Sequence, residues 1–154
     1  MVGGQLIHGM THPEMGHMGI PHDWERDPFP GSCAFHGDCL EGLACGPAIE
    51  DRWGRPADEL GDLAVAATDM EAHYLAAGIA QLVYSIAPMR VIVGGGVSKL
   101  PGLLPRIRRR LTDLLGGYPG IAEHADDAFV IRPALGDDAG ILGALALAGT
   151  ANSA

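Results

Sequence analysis

Basic residues are scarce in this chain. Lys and Arg together number 10 against 19 Asp and Glu, a formal net charge of −9. Nucleic-acid binding runs through neutralised phosphates, so this balance argues against a nucleic-acid partner. The one basic run, residues 106–110, has helical surroundings and reads as a solvated helix face rather than a phosphate patch. Cysteine is scarce too. Three residues make no disulfide framework, and two of them lie close to histidine, which points to metal and a reducing compartment. No uninterrupted apolar run has the length of a membrane span. The first residues, MVGGQLIHGMTH, show neither a basic n-region nor a long apolar h-region. A cytoplasmic chain without a membrane partner is therefore expected. What is plentiful is apolar residues, 47%, and glycine, 23 in all, in 154 residues. That is a globular composition, long enough for one domain with a real core.

The chain is organised around residues 14–41, EMGHMGIPHDWERDPFPGSCAFHGDCLE. Cys33, His36 and Cys39 form a C-x2-H-x2-C run. Thiolate and neutral imidazole are the ligands zinc prefers, and four of them close a tetrahedral structural site. The fourth ligand must come from elsewhere; His17 is favoured, with His12 and His22 as competitors. Residues 18–32 carry three prolines and two glycines and show no helical or strand period. Such a loop buries little against its ordering entropy, and a metal clip would tie it down. Against this stands the plainer reading of Cys and His as packed core residues. The clustered spacing favours the metal.

The remaining elements follow from periodicity and punctuation. Residues 2–10 read as a glycine-punctuated strand or hairpin. Residues 38–53 predict a helix, with Asp38 as N-cap, Glu41 in its first turn, Leu40, Leu43 and Ala44 on one face, and an interruption at Gly46-Pro47. Residues 63–87 predict a long helix burying Ala66, Met70, Tyr74, Ala77, Ile79, Leu82, Val83 and Ile86, ended by Pro88. His73 within it reads as a packed or surface residue. Residues 90–93 predict a buried strand ending at Gly94-Gly95-Gly96, and residues 101–115 a helix stopped by Gly116-Gly117. Strand, glycine turn and helix is a geometry in which amides approach phosphate, although a triple glycine is also a plain tight turn. Residues 129–133 predict a second strand. Asp137-Asp138 then cap a small-residue helix over 139–148 that should pack closely. The alternation argues an α/β layer with parallel strands.

Several of these stretches resemble one family. HPEMGHMG, then GSCAFHGDCLEGLACGPAIEDRWG, VIVGGGVSKLPGLLP and ALGDDAGILGALALA are similar to the ROK family of sugar kinases, in its fructokinase branch. The common family pattern is G-E-x-G-H followed by C-x-C-G-x2-G-C-x-E. Here Phe35 stands where the middle cysteine would be, and His36 follows, as in the fructokinase-like form. The resemblance runs to about residue 149, leaving 150–154 as a frayed tail. It implies an α/β fold of the ribonuclease-H-like (actin/hexokinase) type, with residues 1–149 as the C-terminal domain and a zinc-binding loop at 17–39 inserted in it. It also implies ATP-dependent phosphorylation of a hexose, most simply fructose to fructose 6-phosphate, with Mg2+ accompanying ATP and a structural zinc held by His17, Cys33, His36 and Cys39. Glu14, His17 and Glu41 match positions that bind sugar hydroxyls. Pro47, Gly94, Gly95, Gly96 and Val97 would line the nucleotide side. Without the resemblance, Glu14 and Glu41 read equally well as surface or capping acids.

The match is with the C-terminal half of such a kinase. Neither the family's D-x-G-x-T phosphate loop nor its catalytic aspartate has a counterpart in these residues, so no catalytic residue is assigned and weak or no activity is expected of the chain alone. Asp137 and Asp138 are not promoted to that role. A homodimer or a separate N-terminal half is an expected partner. A noncatalytic sugar-sensing or structural zinc module is the alternative. A metal hydrolase using His12, His22 and Asp38 is a weaker third reading, because a closed four-ligand site leaves no place for activated water.

Overall fold

A computed structural model of the chain describes residues 1–151. Its elements are α1 (Leu40–Leu43), α2 (Gly46–Trp53), α3 (Ala64–Ile86), β1 (Val91–Ile92), α4 (Leu103–Leu115), β2 (Val130–Ile131) and α5 (Ala139–Ala151), joined by short 3-10 turns. The centre is the seam between α3 and α4. Leu103, Leu104, Ile107, Leu111 and Leu115 recur at helical spacing along one side of α4 and are all buried. They meet Ala72, Ala76, Ile79 and Val83 of α3, with Ile49, Leu60, Phe129 and Val130 completing the cluster. Burying one such aliphatic side chain stabilises the fold by about 1.5–3 kcal/mol. A second, smaller cluster of Ile20, Leu43, Met70, Tyr74 and Ala77 lies under the irregular loop. It requires close approach of α1 to α3. A Cβ at Gly78 would stand 2.6 Å from Leu40 Cδ2, so glycine there opens the space that Leu40 fills.

β1 and β2 pair in parallel, Val91 with Val130 and Ile92 with Ile131, with α4 between them in sequence. The parallel α/β arrangement expected from the sequence is therefore present. Several finer expectations are corrected. Of the strand or hairpin expected over residues 2–10, no strand forms and only a minimal hairpin is present: Gly3 and Gly4, both at positive φ, close a tight turn bridged from Val2 to Gln5. β1 is not a buried strand, because only one face of the pair is covered and Ile92 is 61% exposed. In α3, Ala66 and Ile86 face solvent and Leu82 is half-buried, since the seam with α4 follows Ala67, Ala72, Ala76, Ile79 and Val83, while Met70, Tyr74 and Ala77 are buried, as expected, in the second cluster. The helix over 38–53 is interrupted at Gly46-Pro47 as expected, dividing into α1 and α2, with Pro47 in the first turn of α2, where its missing N–H costs nothing. Cys39, not Asp38, stands at the N-cap of α1.

The last helix departs furthest from expectation. α5 does not pack closely: residues 140–149 are exposed, and it adjoins the turn 136–138 that leads into it. Apolar side chains occur all round it, Ile141, Leu142 and Leu145 on one arc and Leu147 on the opposite side, so no single stripe turns it onto the core. It runs to Ala151, past the boundary placed at 149, and residues 152–154 of the expected frayed tail lie outside the described residues. The basic run is not simply solvated. Arg106 pairs with Asp69 at 2.8 Å, tying α4 to α3, and Arg108 donates to the Val130 carbonyl and to Asp127. His73 is partly buried, and burial together with Arg26 and Arg110 lowers its pKa.

Candidate metal centre and adjoining cleft

Residues 32–42 fold into a knuckle. Cys33 and Gly37 exchange backbone hydrogen bonds at 3.2 and 2.9 Å, and Ser32 N donates to the Gly42 carbonyl at 2.9 Å. Gly42 has no substitute here, since a Cβ on it would run into the Gly37 carbonyl and Cys33. Leu40 N donates to Met18 O at 2.9 Å, which brings the turn Met15–His17 alongside Cys39. The result gathers His17, Cys33, His36 and Cys39, with all four ligand atoms within 4.8 Å of one another. Cys33 Sγ is 3.6 Å from His17 Nδ1 and 3.8 Å from His36 Nδ1, and Cys39 Sγ is 3.7 Å from His17 Nδ1. Two thiolates and two imidazoles arranged tetrahedrally at zinc–ligand distances would have edges of about 3.4–3.8 Å. The donor set and its spacing therefore fit a closed four-ligand metal site.

The two sulfurs sit in different surroundings. The backbone N–H groups of His36 and Phe35 point at Cys33 and lower its pKa to about 6, which favours the ligating thiolate. Cys39 is 2% exposed, and burial, reinforced by the neighbouring Cys33, raises its pKa. The competing ligands are placed elsewhere. His12 pairs with Glu14 at 2.6 Å on the surface. His22 is packed inside, between Asp38 at 3.0 Å and the Asp27 carbonyl at 3.0 Å. The trio His12, His22 and Asp38 is not among the groups that converge within the described residues, so the metal-hydrolase arrangement is not formed. Cys45 lies apart, 3.8 Å from the Ser32 hydroxyl.

Of the three residues matched to sugar contacts, two come together. His17 Nε2, the nitrogen turned away from the sulfurs, lies 3.5 Å from Glu41 Oε2. Glu41 sits in the first turn of α1, where the helix dipole favours a carboxylate, and Gly16 leaves room for it, since a Cβ there would be 3.3 Å from Glu41 Oε2. Glu14 lies just before the Met15–His17 turn, with its carboxylate engaged by His12.

The glycine turn borders two open clefts. One, of about 630 Å³, is bounded by Gly96, Val97, Lys99 and Leu100 on one side and by Gly46, Asp58 and Ala64 on the other. A second, of about 490 Å³, lies between Gly94, Gly95 and Gly96 and the Pro133–Gly140 side of the chain. Pro47 is not in either lining; its neighbour Gly46 is. The turn is not followed directly by an α-helix. A 3-10 turn, Val97–Lys99, intervenes, and α4 starts only after Gly102. The clefts, not a helix N-terminus, are what this region offers a ligand. Lys99, which borders both and pairs with Asp137 at 2.9 Å, was not singled out from sequence, because a lone lysine carries no pattern.

Comparison with known proteins agrees with this geometry. A profile described as the ROK family matches residues 1–151. A putative fructokinase of Bacillus subtilis is 41% identical over 150 residues, covering 96% of this chain and 50% of that protein. A fructokinase of Zymomonas mobilis is 43% identical over 152 residues, covering 96% and 49%. The chain thus spans about half the length of the curated relatives it matches. A ROK hexokinase from Thermus thermophilus superposes with a TM-score of 0.64 at 28% identity, covering 85% of this chain and 45% of that one. The α/β fold is of that actin-like type.

Proposed function

The chain belongs to the ROK family, and from that premise we propose that residues 1–149 are the C-terminal domain of an ATP-dependent hexose kinase that converts fructose to fructose 6-phosphate. The observation that carries this reading is the placement of Glu41 against the outer nitrogen of His17, on a turn whose inner nitrogen faces two cysteine sulfurs. Zinc is the ion assigned to His17, Cys33, His36 and Cys39, and when bound it supplies structure alone, since four protein donors leave no open position. A His17 that ligates through Nδ1 keeps its proton on Nε2. That N–H donates to Glu41 or to a sugar oxygen, and the Glu41 carboxylate accepts from a sugar hydroxyl. Glu14 is the third proposed sugar contact, at the edge of the same turn. ATP with Mg2+ is assigned to the clefts beside Gly94, Gly95, Gly96 and Val97, where Gly46, the neighbour of Pro47, and not Pro47 itself, lines the wall. Positioning and charge neutralisation are most of what phosphoryl transfer asks of a protein.

No residue here matches the family's general base, and Asp137 is occupied by Lys99. Binding with little or no turnover is therefore expected of these residues alone. The test is titration of fructose and of MgATP into the zinc-loaded chain, with a coupled phosphorylation assay alongside. Both ligands should bind, Glu41→Gln should weaken fructose by about tenfold, near 1.4 kcal/mol, with MgATP unchanged, and turnover should stay at background. Fructose binding indifferent to Glu41→Gln would contradict the assignment. A noncatalytic sugar-sensing module would bind fructose without MgATP.

A further inference from the structure

Behind the knuckle lies a buried polar network that no metal ligand belongs to. The Arg52 guanidinium, on α2, is 6% exposed. Its Nε donates to Asp27 Oδ1 at 3.1 Å and its Nη2 lies 3.1 Å from Asp27 Oδ2, a two-point grip on a carboxylate that is itself 2% exposed. Tyr74 Oη, from α3, donates to the same carboxylate at 2.7 Å. Arg52 Nη1 donates to Glu71 at 3.3 Å, and the guanidinium rests over the Phe29 ring at 4.6 Å. Nη2 also donates to the Leu43 carbonyl at 2.9 Å. Leu43 is the last residue of α1, and Glu41 lies between it and Cys39. From Asp27 the connection continues through His22, which donates from Nε2 to the Asp27 carbonyl and meets Asp38 through Nδ1, both at 3.0 Å.

The four-residue helix that carries Glu41 is therefore gripped at both ends. Cys39 holds its start to the metal centre. Arg52 holds its end to the core of the molecule. So short a helix has no stability of its own, and neither end alone fixes the direction of its second residue. Arg supplies what this place requires: a planar fork that grips a carboxylate with two donors and keeps others for the second acceptor and the carbonyl.

We propose that Arg52, anchored by Asp27, is a positioning residue for the sugar site, setting the orientation of Glu41 from the side opposite the metal. The inference rests on the reading of Glu41 as a sugar contact. It predicts coupling between two residues that do not touch. The experiment is a double-mutant cycle on fructose affinity in the zinc-loaded chain, using Arg52→Lys and Glu41→Gln, with zinc content, MgATP affinity and hydrogen exchange of residues 40–44 measured on each variant. Lys keeps the charge but cannot reproduce the fork. Arg52→Lys should retain zinc and MgATP affinity, weaken fructose by about fivefold in the wild-type background and by less than about twofold in the Glu41→Gln background. It should also raise exchange at residues 40–44. Equal losses in both backgrounds would show a general packing role and overturn the proposal. Unchanged exchange at 40–44 would also overturn it, whatever fructose does. If Glu41→Gln leaves fructose affinity intact, the sugar assignment falls, while the exchange measurement still decides whether Arg52 holds α1. Should Arg52→Lys fail to fold, Asp27→Asn opens the same grip from the other side, with the same outcomes expected.

Discussion

The α3/α4 seam and the loop of residues 17–39 lie in one chain but are held by opposite means. The seam is largely aliphatic and repetitive, and its stability is spread over many contacts of similar worth. The loop buries few apolar groups. It is held by discrete polar grips: four candidate ligands at one end and the Asp27–Arg52 fork at the other. Distributed burial tolerates the loss of one member by degrees, whereas a ligand set fails as a unit. The region closest to the proposed chemistry is thus the one whose order can be removed without unfolding the rest.

Substitutions can break that contrast, and the largest stability effect should come from the seam. Ile107→Ala removes a fully buried side chain and should cost about 2–5 kcal/mol, read as a lower urea midpoint. Next comes Cys39→Ser, which should abolish metal retention and weaken fructose binding by at least about tenfold, while far-ultraviolet circular dichroism shows the helices of the seam intact. Loss of the helical signal together with the metal would erase the distinction between the two regions.

A smaller effect, with a pH signature, belongs to Glu71. Its side chain is fully buried, and burial, partly offset by Arg52, raises its pKa from 4.5 to about 8. The folded state therefore holds this proton more tightly than the unfolded chain. Stability from the protonated form is fully present below pH 4.5, falls as pH rises, and is gone above about 8. Glu71→Gln should match the wild type near pH 4.5 and gain on it steadily toward pH 8 in parallel urea titrations. The smallest effect is expected at Phe35, 86% exposed at the tip of the knuckle. Phe35→Ala should change stability by less than about 0.5 kcal/mol, and metal content should stay the same.

The two regions were also unequally legible in the sequence. The candidate ligand set was legible as a pattern because coordination chemistry restricts residue type and spacing, and the structure brings the four residues together in a group that could hold a metal. The long helices and the parallel strand pair were legible through period and punctuation, and α4 ends at Gly116 as expected. The Asp27–Arg52–Glu71 network was not legible. Its members are 25 and 19 residues apart, and on α2 Arg52 has the appearance of an ordinary solvent-facing arginine; only the tertiary fold buries it. Asp38 looked like a helix cap because its type and position suit one, yet His22 takes its carboxylate instead. The packing expected of α5 failed for a related reason: small apolar residues spread around a helix do not specify which face, if any, is covered.

The most direct measurement is zinc content by elemental analysis, combined with fructose titration and circular dichroism before and after chelation. One zinc per chain is expected, with fructose affinity falling at least about tenfold on its removal and the helical signal retained. A folded chain that carries no metal, or one whose fructose binding survives chelation unchanged, would contradict the metal-positioned sugar site.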